Sequence, residues 1–144
     1  MTQSPIISPF LHQNIYLAED DAEDRSIFLD ALNEVCSTSR CTTATDGKEL
    51  MDVLDNTVPP KPDVIFLDIN MPNKNGFDCL KIIRNSADLG TVPVVVLTTN
   101  GNEESREKAM ALGANLFYEK PTSYKVLKQT LANVLSTDFS VPMA

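Results

Sequence analysis

Carboxylates occur in this chain directly after short apolar runs, where a folded backbone can bring them together. Glu19, Asp20 and Asp21 follow Ile15-Tyr16-Leu17-Ala18, and Asp68 follows Val64-Ile65-Phe66-Leu67. Thr98 and Thr99 close Val92-Pro93-Val94-Val95-Val96-Leu97, and Lys120 stands just after Leu116-Phe117-Tyr118. Acids of like charge gathered in one place repel unless a cation lies among them. Glu19, Asp20 and Asp68 offer only oxygen donors, which suits Mg²⁺ or Mn²⁺. A carboxylate beside such an ion is also a competent nucleophile towards phosphorus, giving an aspartyl phosphate. The ion then neutralises the phosphoryl oxygens during transfer. Lys120 would add a point charge from the opposite side, and the Thr98 hydroxyl would donate to a phosphoryl oxygen. Asp21 has a plainer reading as an acid at the start of a helix, favoured by capping and by the helix dipole.

These groups converge only if the runs before them are strands that end at one edge of a sheet. The four runs are continuous instead of alternating, the pattern of parallel strands buried on both faces. A weaker run, Cys41 to Thr45, reads as a fifth strand nearer the edge. Between them lie segments with helical spacing: Ile27, Phe28, Ala31, Leu32 and Val35; Leu50, Val53 and Leu54; Phe77, Leu80 and Ile83; Ala109 and Leu112; Leu127, Leu131 and Val134. Asp46-Gly47 opens the second of these, Pro59-Pro60-Lys61-Pro62 breaks the chain before the third strand, and Gly113 stands where a C′ glycine ends the fourth helix. Alternation of strand and helix predicts a doubly wound α/β sheet with right-handed crossovers. Ligands of such sheets bind beyond the carboxyl ends of the strands.

The 144 residues fit one domain, with residues 1–13 as an N-terminal extension, 14–136 as the domain and 137–144 as a short tail without an output domain. A net charge of −8 with no basic patch argues against direct binding to nucleic acid or an anionic membrane. Three cysteines without a CxxC or Cys/His pairing suggest neither a disulfide framework nor a zinc site. No run is long enough for a signal peptide or a membrane span, so a cytoplasmic protein is expected.

Four stretches, in order and at the same spacing, resemble the receiver domain of bacterial two-component response regulators of the chemotaxis-regulator type. They are Tyr16-Leu17-Ala18-Glu19-Asp20-Asp21, Val64 to Pro72 with Gly76, Pro93 to Thr98, and Gly113 to Pro121. The resemblance implies a five-stranded parallel sheet of order 2-1-3-4-5, flavodoxin-like, in three α/β/α layers. It implies Asp68 as phosphoacceptor, with Asp20 a direct metal ligand, Glu19 acting through water and the Asn70 backbone carbonyl as a third protein ligand. It further implies Lys120 and Thr98 as phosphate-binding and switch residues, Phe117 as the aromatic switch residue, and a cis peptide bond at Lys120–Pro121. The donor would be a sensor histidine kinase or a histidine phosphotransfer protein. Output would run to a downstream protein through the surface of the fourth helix, fifth strand and fifth helix. Two positions depart from the family's usual residues. Asn75 replaces an Asp and remains suited to a positive-φ turn, and Thr99 replaces a smaller residue, which narrows access of water or a small donor to the phosphoryl group.

Two other classes compete. Asp68-Ile69-Asn70 also resembles the nucleophile loop of haloacid-dehalogenase-like phosphatases, but there the nucleophile follows the first strand and an Asp two residues on serves as the acid, a role Asn70 cannot fill. A docking module that no longer takes phosphate would be expected to have lost one of Asp20, Asp68, Thr98 or Lys120. The expectation is therefore a phosphoacceptor domain that turns over no other substrate.

Overall fold

The structure, a computed structural model, describes residues 10–56, 61–71, 75–99 and 101–140. Strands and helices alternate along the chain: β1 (Asn14–Ala18), α1 (Ala22–Val35), β2 (Arg40–Ala44), α2 (Gly47–Asp55), β3 (Val64–Leu67), α3 (Gly76–Asn85), β4 (Val94–Thr98), α4 (Glu103–Ala111), β5 (Leu116–Glu119) and α5 (Tyr124–Ser136). Each strand lies parallel to its neighbours in the order β2-β1-β3-β4-β5. The chain steps outward one way from β1 to β2 and the other way from β3 to β5. The switch point of the sheet therefore falls between β1 and β3.

Period-two alternation divides the core in two. Ile15, Leu17, Val64, Phe66, Val95 and Leu97 face a layer formed with α1 and α5, while Tyr16, Ala18, Ile65, Leu67, Val94 and Val96 face α2, α3 and α4. Both faces are covered, which is why β1, β3 and β4 read as unbroken apolar runs. β2 pairs on one side only and is half exposed, as its Thr- and Arg-containing sequence predicts for an edge strand.

Helix starts follow local chemistry. Asp21, Asp46, Asn75, Asn102 and Ser123 cap the five helices, each side chain accepting a backbone N–H in the first turn. α4 ends at Gly113 with φ +108°, a conformation that favours glycine. Asn75 differs from the sequence expectation. It has φ −73° and ψ 163°, because its side chain serves as the N-cap of α3, accepting from Asp78 N, and not as a positive-φ turn residue. β4 begins at Val94 and not Val92, since Pro93 has no N–H for the ladder, although its carbonyl still accepts from Ile65 N at 2.9 Å. Pro59, Pro60, Pro72 and Lys74 lie outside the described residues. Among the described residues no helix is long and apolar enough to cross a membrane.

Candidate phosphoryl site at the carboxyl edge of the sheet

The alternation that sorts the core also sorts the site. Glu19 continues the Ile15 and Leu17 side of β1, Asp68 the Val64 and Phe66 side of β3, and Lys120 the Leu116 and Tyr118 side of β5. All three emerge on the α1/α5 face. Thr98 continues the opposite side of β4, where Phe117 of β5 also packs. Backbone pairing runs on past the strands, with Glu19 N donating to Ala44 O at 3.0 Å, Asp68 N to Ala18 O at 3.1 Å and Lys120 N to Thr98 O at 2.8 Å. The backbone that carries Glu19, Asp68 and Lys120 is thus fixed by ladder hydrogen bonds.

Glu19 and Asp68 are each 4% exposed, whereas Asp20 is exposed. One carboxylate oxygen from each of Glu19, Asp20 and Asp68 lies within 4.8 Å of the others. This all-oxygen donor set, with one member open to water, fits a hard divalent cation that keeps part of its hydration, such as Mg²⁺ or Mn²⁺. Asp68 Oδ1 accepts from Asn70 N at 3.0 Å and from the Thr98 hydroxyl at 3.1 Å, and Thr98 Oγ1 in turn accepts from Asn70 Nδ2 at 3.1 Å. Asp68 Oδ2 accepts from Lys120 Nζ at 3.2 Å. Both carboxylate oxygens are therefore oriented by donors.

Lys120 lies closer to the acids than the sequence implied. Its ammonium is not opposite them but among them, 2.5 Å from Glu19 Oε1, 2.9 Å from Asp24 Oδ2 and 3.2 Å from Asp68 Oδ2. Burial alone would lower the pKa of this ammonium. Its hydrogen bonds to Glu19 and Asp24, with the charge of Asp68, outweigh that and hold it above the ordinary lysine range. Burial pushes the Glu19 carboxyl up to about 7, against the lowering effect of Lys120 and of the Asp21 N–H. Arg25 fixes the Glu19 backbone by donating from Nη1 to its carbonyl at 2.9 Å. A cavity of about 260 Å³ opens between α1 and the start of α5, with Asp24, Asp68 and Lys120 at one end and Ile27, Phe28 and Leu127 among its walls.

Asp24 is the residue the sequence reading missed. Its signal, an acid in the first turn of a helix, is common, and its partner lies 96 residues away. Asp21 caps α1 as read, accepting from Asp24 N at 2.9 Å. Thr99 is exposed beside the site. Phe117 is partly buried, and its ring lies near Gly101, where an added Cβ would come 3.0 Å from Phe117 Cε1 and 3.5 Å from Thr98 Cγ2.

Comparison with known proteins agrees with this geometry. Residues 15–132 match the family described as the response regulator receiver domain. The transcriptional regulatory protein CpxR of Escherichia coli (strain K12) is 32% identical over 121 residues, which are 84% of this chain and 48% of CpxR. The chain thus spans about half the length of that relative. The crystal structure of the phosphorylated cyanobacterial phytochrome response regulator RcpA superposes with a TM-score of 0.77 at 31% identity, covering 85% of this chain and 91% of RcpA. The Mn²⁺-bound form of the response regulator Rcp1 does so with a TM-score of 0.71 at 31% identity and the same coverage of both chains. With the sheet order, the acidic group at its switch point and the match over most of its length in agreement, this chain belongs to the response regulator receiver domains of two-component signalling.

Proposed function

We propose that Asp68 accepts a phosphoryl group from a histidine kinase or a histidine phosphotransfer protein in a Mg²⁺-dependent step, and that the phosphorylated domain docks a downstream protein. The observation that carries this reading is the buried Asp68 carboxylate, oriented by Thr98, Asn70 and Lys120 within an acidic group that fits a divalent cation. An oxygen of Asp68 attacks phosphorus, the P–N bond of the phosphohistidine breaks, and its electron pair stays on the departing imidazole nitrogen, which takes a proton from solvent. Glu19 through water, Asp20, Asp68 and the Asn70 backbone carbonyl would hold the cation, which supplies charge neutralisation for the phosphoryl oxygens. Lys120 contributes a positive charge from β5, and the Thr98 hydroxyl donates to the new anion. A cis peptide at Lys120–Pro121 belongs to the same reading. The protein is placed in the cytoplasm, where such donors work, and turns over no substrate other than its own phosphoryl group.

Signal then passes from Thr98 to Phe117. A charge-assisted hydrogen bond draws the Thr98 hydroxyl to the phosphoryl group, and the Phe117 ring turns into the space released. A partner that prefers the inward ring binds the α4–β5–α5 surface more tightly, by about 1–3 kcal/mol of coupling. Thr98 is fully buried and Phe117 packs on the same face of the sheet, which supports this route.

The test is phosphorylation by acetyl phosphate or a kinase with Mg²⁺, read as intact mass after acid quench. One added phosphoryl group is expected, with none on Asp68→Asn and none in excess chelator. Undiminished labelling of Asp68→Asn would overturn the assignment. NMR shifts on adding beryllofluoride that stay confined to the loops around Asp68 would overturn the Phe117 route.

A further inference from the structure

Lys120 has three ammonium protons and three carboxylate neighbours, Glu19 at 2.5 Å, Asp24 at 2.9 Å and Asp68 at 3.2 Å. Its side chain is only 14% exposed, so these acids and not water fix where the charge sits. The three partners are not equivalent. Glu19 and Asp68 are buried at strand ends and belong with Asp20 to the oxygen cluster described above. Asp24 stands outside that cluster, on the first turn of α1, with its side chain 39% exposed. Its backbone is pinned by the Asp21 cap at 2.9 Å, so it presents its carboxylate from a fixed helix start.

We propose that Asp24 is a positioning residue for Lys120 which competes with an incoming phosphoryl group for the ammonium and so weakens the phosphorylated state. The inference rests on the reading of Asp68 as phosphoacceptor. With every Lys120 proton engaged, a phosphoryl oxygen can gain a donor only by exchange for one of the existing bonds. The bond to Asp24 is the one to give up, because its 39% exposed carboxylate can turn to water, whereas those of Glu19 and Asp68 are buried and cannot. The adjoining cavity gives the ammonium room to move. The charge of Asp24 also opposes the new anion directly. Contacts of 2.9 and 3.2 Å to the same nitrogen leave the Asp24 and Asp68 oxygens at most about 6 Å apart. A single charge at that distance, in surroundings as polar as water, shifts an equilibrium about threefold.

The probe is beryllofluoride in saturating Mg²⁺, with affinity measured by calorimetry. Asp24→Asn is expected to bind it at least about threefold more tightly than the unaltered protein. Asp24→Ser, too short to reach Lys120, is expected to do the same, and Asp24→Glu to restore the original affinity. Glu23→Gln, which removes an exposed charge from the same turn, is expected to leave affinity unchanged. A merely structural role for Asp24 predicts weaker binding in all its variants. Unchanged or weaker binding in Asp24→Asn and Asp24→Ser, or an equal gain in Glu23→Gln, overturns the role of Asp24 alone. Failure of the unaltered protein to bind beryllofluoride overturns the phosphoacceptor reading and this inference with it.

Discussion

Gly76 opens α3 directly against the segment that carries Asp68, and replacing it with alanine is expected to disturb both stability and the site. An added Cβ would lie 2.5 Å from Ile69 Cα, 2.8 Å from Asp68 O and 3.1 Å from Ile69 Cγ2. Carbon atoms in contact sit about 3.5–4.0 Å apart, so either α3 or residues 68–69 must retreat by roughly 1 Å. The first two obstacles are backbone atoms, which no side-chain rotation can clear. Overpacking of this kind costs about 1–3 kcal/mol. Separation also strains the Gly76 N–H bond to Ile69 O, now 3.1 Å, which contributes about 0.5–1.5 kcal/mol. Alanine's better helix propensity returns at most about 1 kcal/mol. A net loss of about 2 kcal/mol is expected from urea unfolding at 25 °C, together with a fall in beryllofluoride affinity of tenfold or more, since about 1 Å of misplacement at a reacting group is this damaging. A Gly76→Ala protein of unaltered stability that binds beryllofluoride normally would refute the reasoning.

Arg84 predicts the opposite division of effects. Its guanidinium donates to Gly113 O at 2.9 Å, Val92 O at 2.7 Å and Asn115 Oδ1 at 2.8 Å, joining α3 to the loops before β4 and β5. Arg84→Met should lose about 2–4 kcal/mol in urea unfolding, with beryllofluoride affinity unchanged, because these loops lie at the far edge of the sheet. Gly101→Ala should press on the Phe117 ring from 3.0 Å and reduce the beryllofluoride-induced NMR shift at Phe117 more than the shift at Asp68; equal attenuation at both would count against a ring-specific effect. Glu19 supplies a pH dependence. Its carboxyl is raised from 4.5 to about 7 in the folded state, so its stabilising contribution is complete below about pH 4.5 and is lost as pH rises through 7. In chelator, the unaltered protein should therefore lose up to about 3 kcal/mol relative to Glu19→Gln across that interval; parallel pH profiles of the two proteins would exclude this origin.

What the sequence made legible depended on where the causes lie along the chain. Asp68 and Lys120 could be located because each follows a short apolar strand, and parallel strands must finish at one edge, although β5, read as buried on both faces, is an outer strand and only partly buried. The side of the sheet on which each emerges was not legible, because continuous apolar runs do not mark their two faces; the strand register is what separates Glu19, Asp68 and Lys120 from Thr98 and Phe117. Asn75 was misjudged because turns and helix caps favour the same short polar residues, and only the geometry distinguishes them. Asp24 and Arg84 were invisible for another reason. Their partners, Lys120 in one case and Gly113, Val92 and Asn115 in the other, are fixed by tertiary packing, and nothing local in either residue's neighbourhood announces them.

The two edges of the sheet face different demands from change over time. At the carboxyl edge, Glu19, Asp68, Thr98 and Lys120 come from four separate strands, two of which, β1 and β3, must be adjacent for the acids to meet. No fragment lacking one of these strands could hold the constellation, so it is inherited only with all four, although a single substitution in an intact sheet can remove it. The opposite edge carries no part of the chemistry. Hydrogen bonds there tie the returns from helix to strand to one another and to β1: Arg84 joins those before β4 and β5, and Asp63, before β3, accepts from the backbone N–H of Gln13 and of Asn14 at 2.9 Å. Divergence in such a domain should therefore accumulate at this edge sooner than among the strand ends that carry Glu19, Asp68, Thr98 and Lys120.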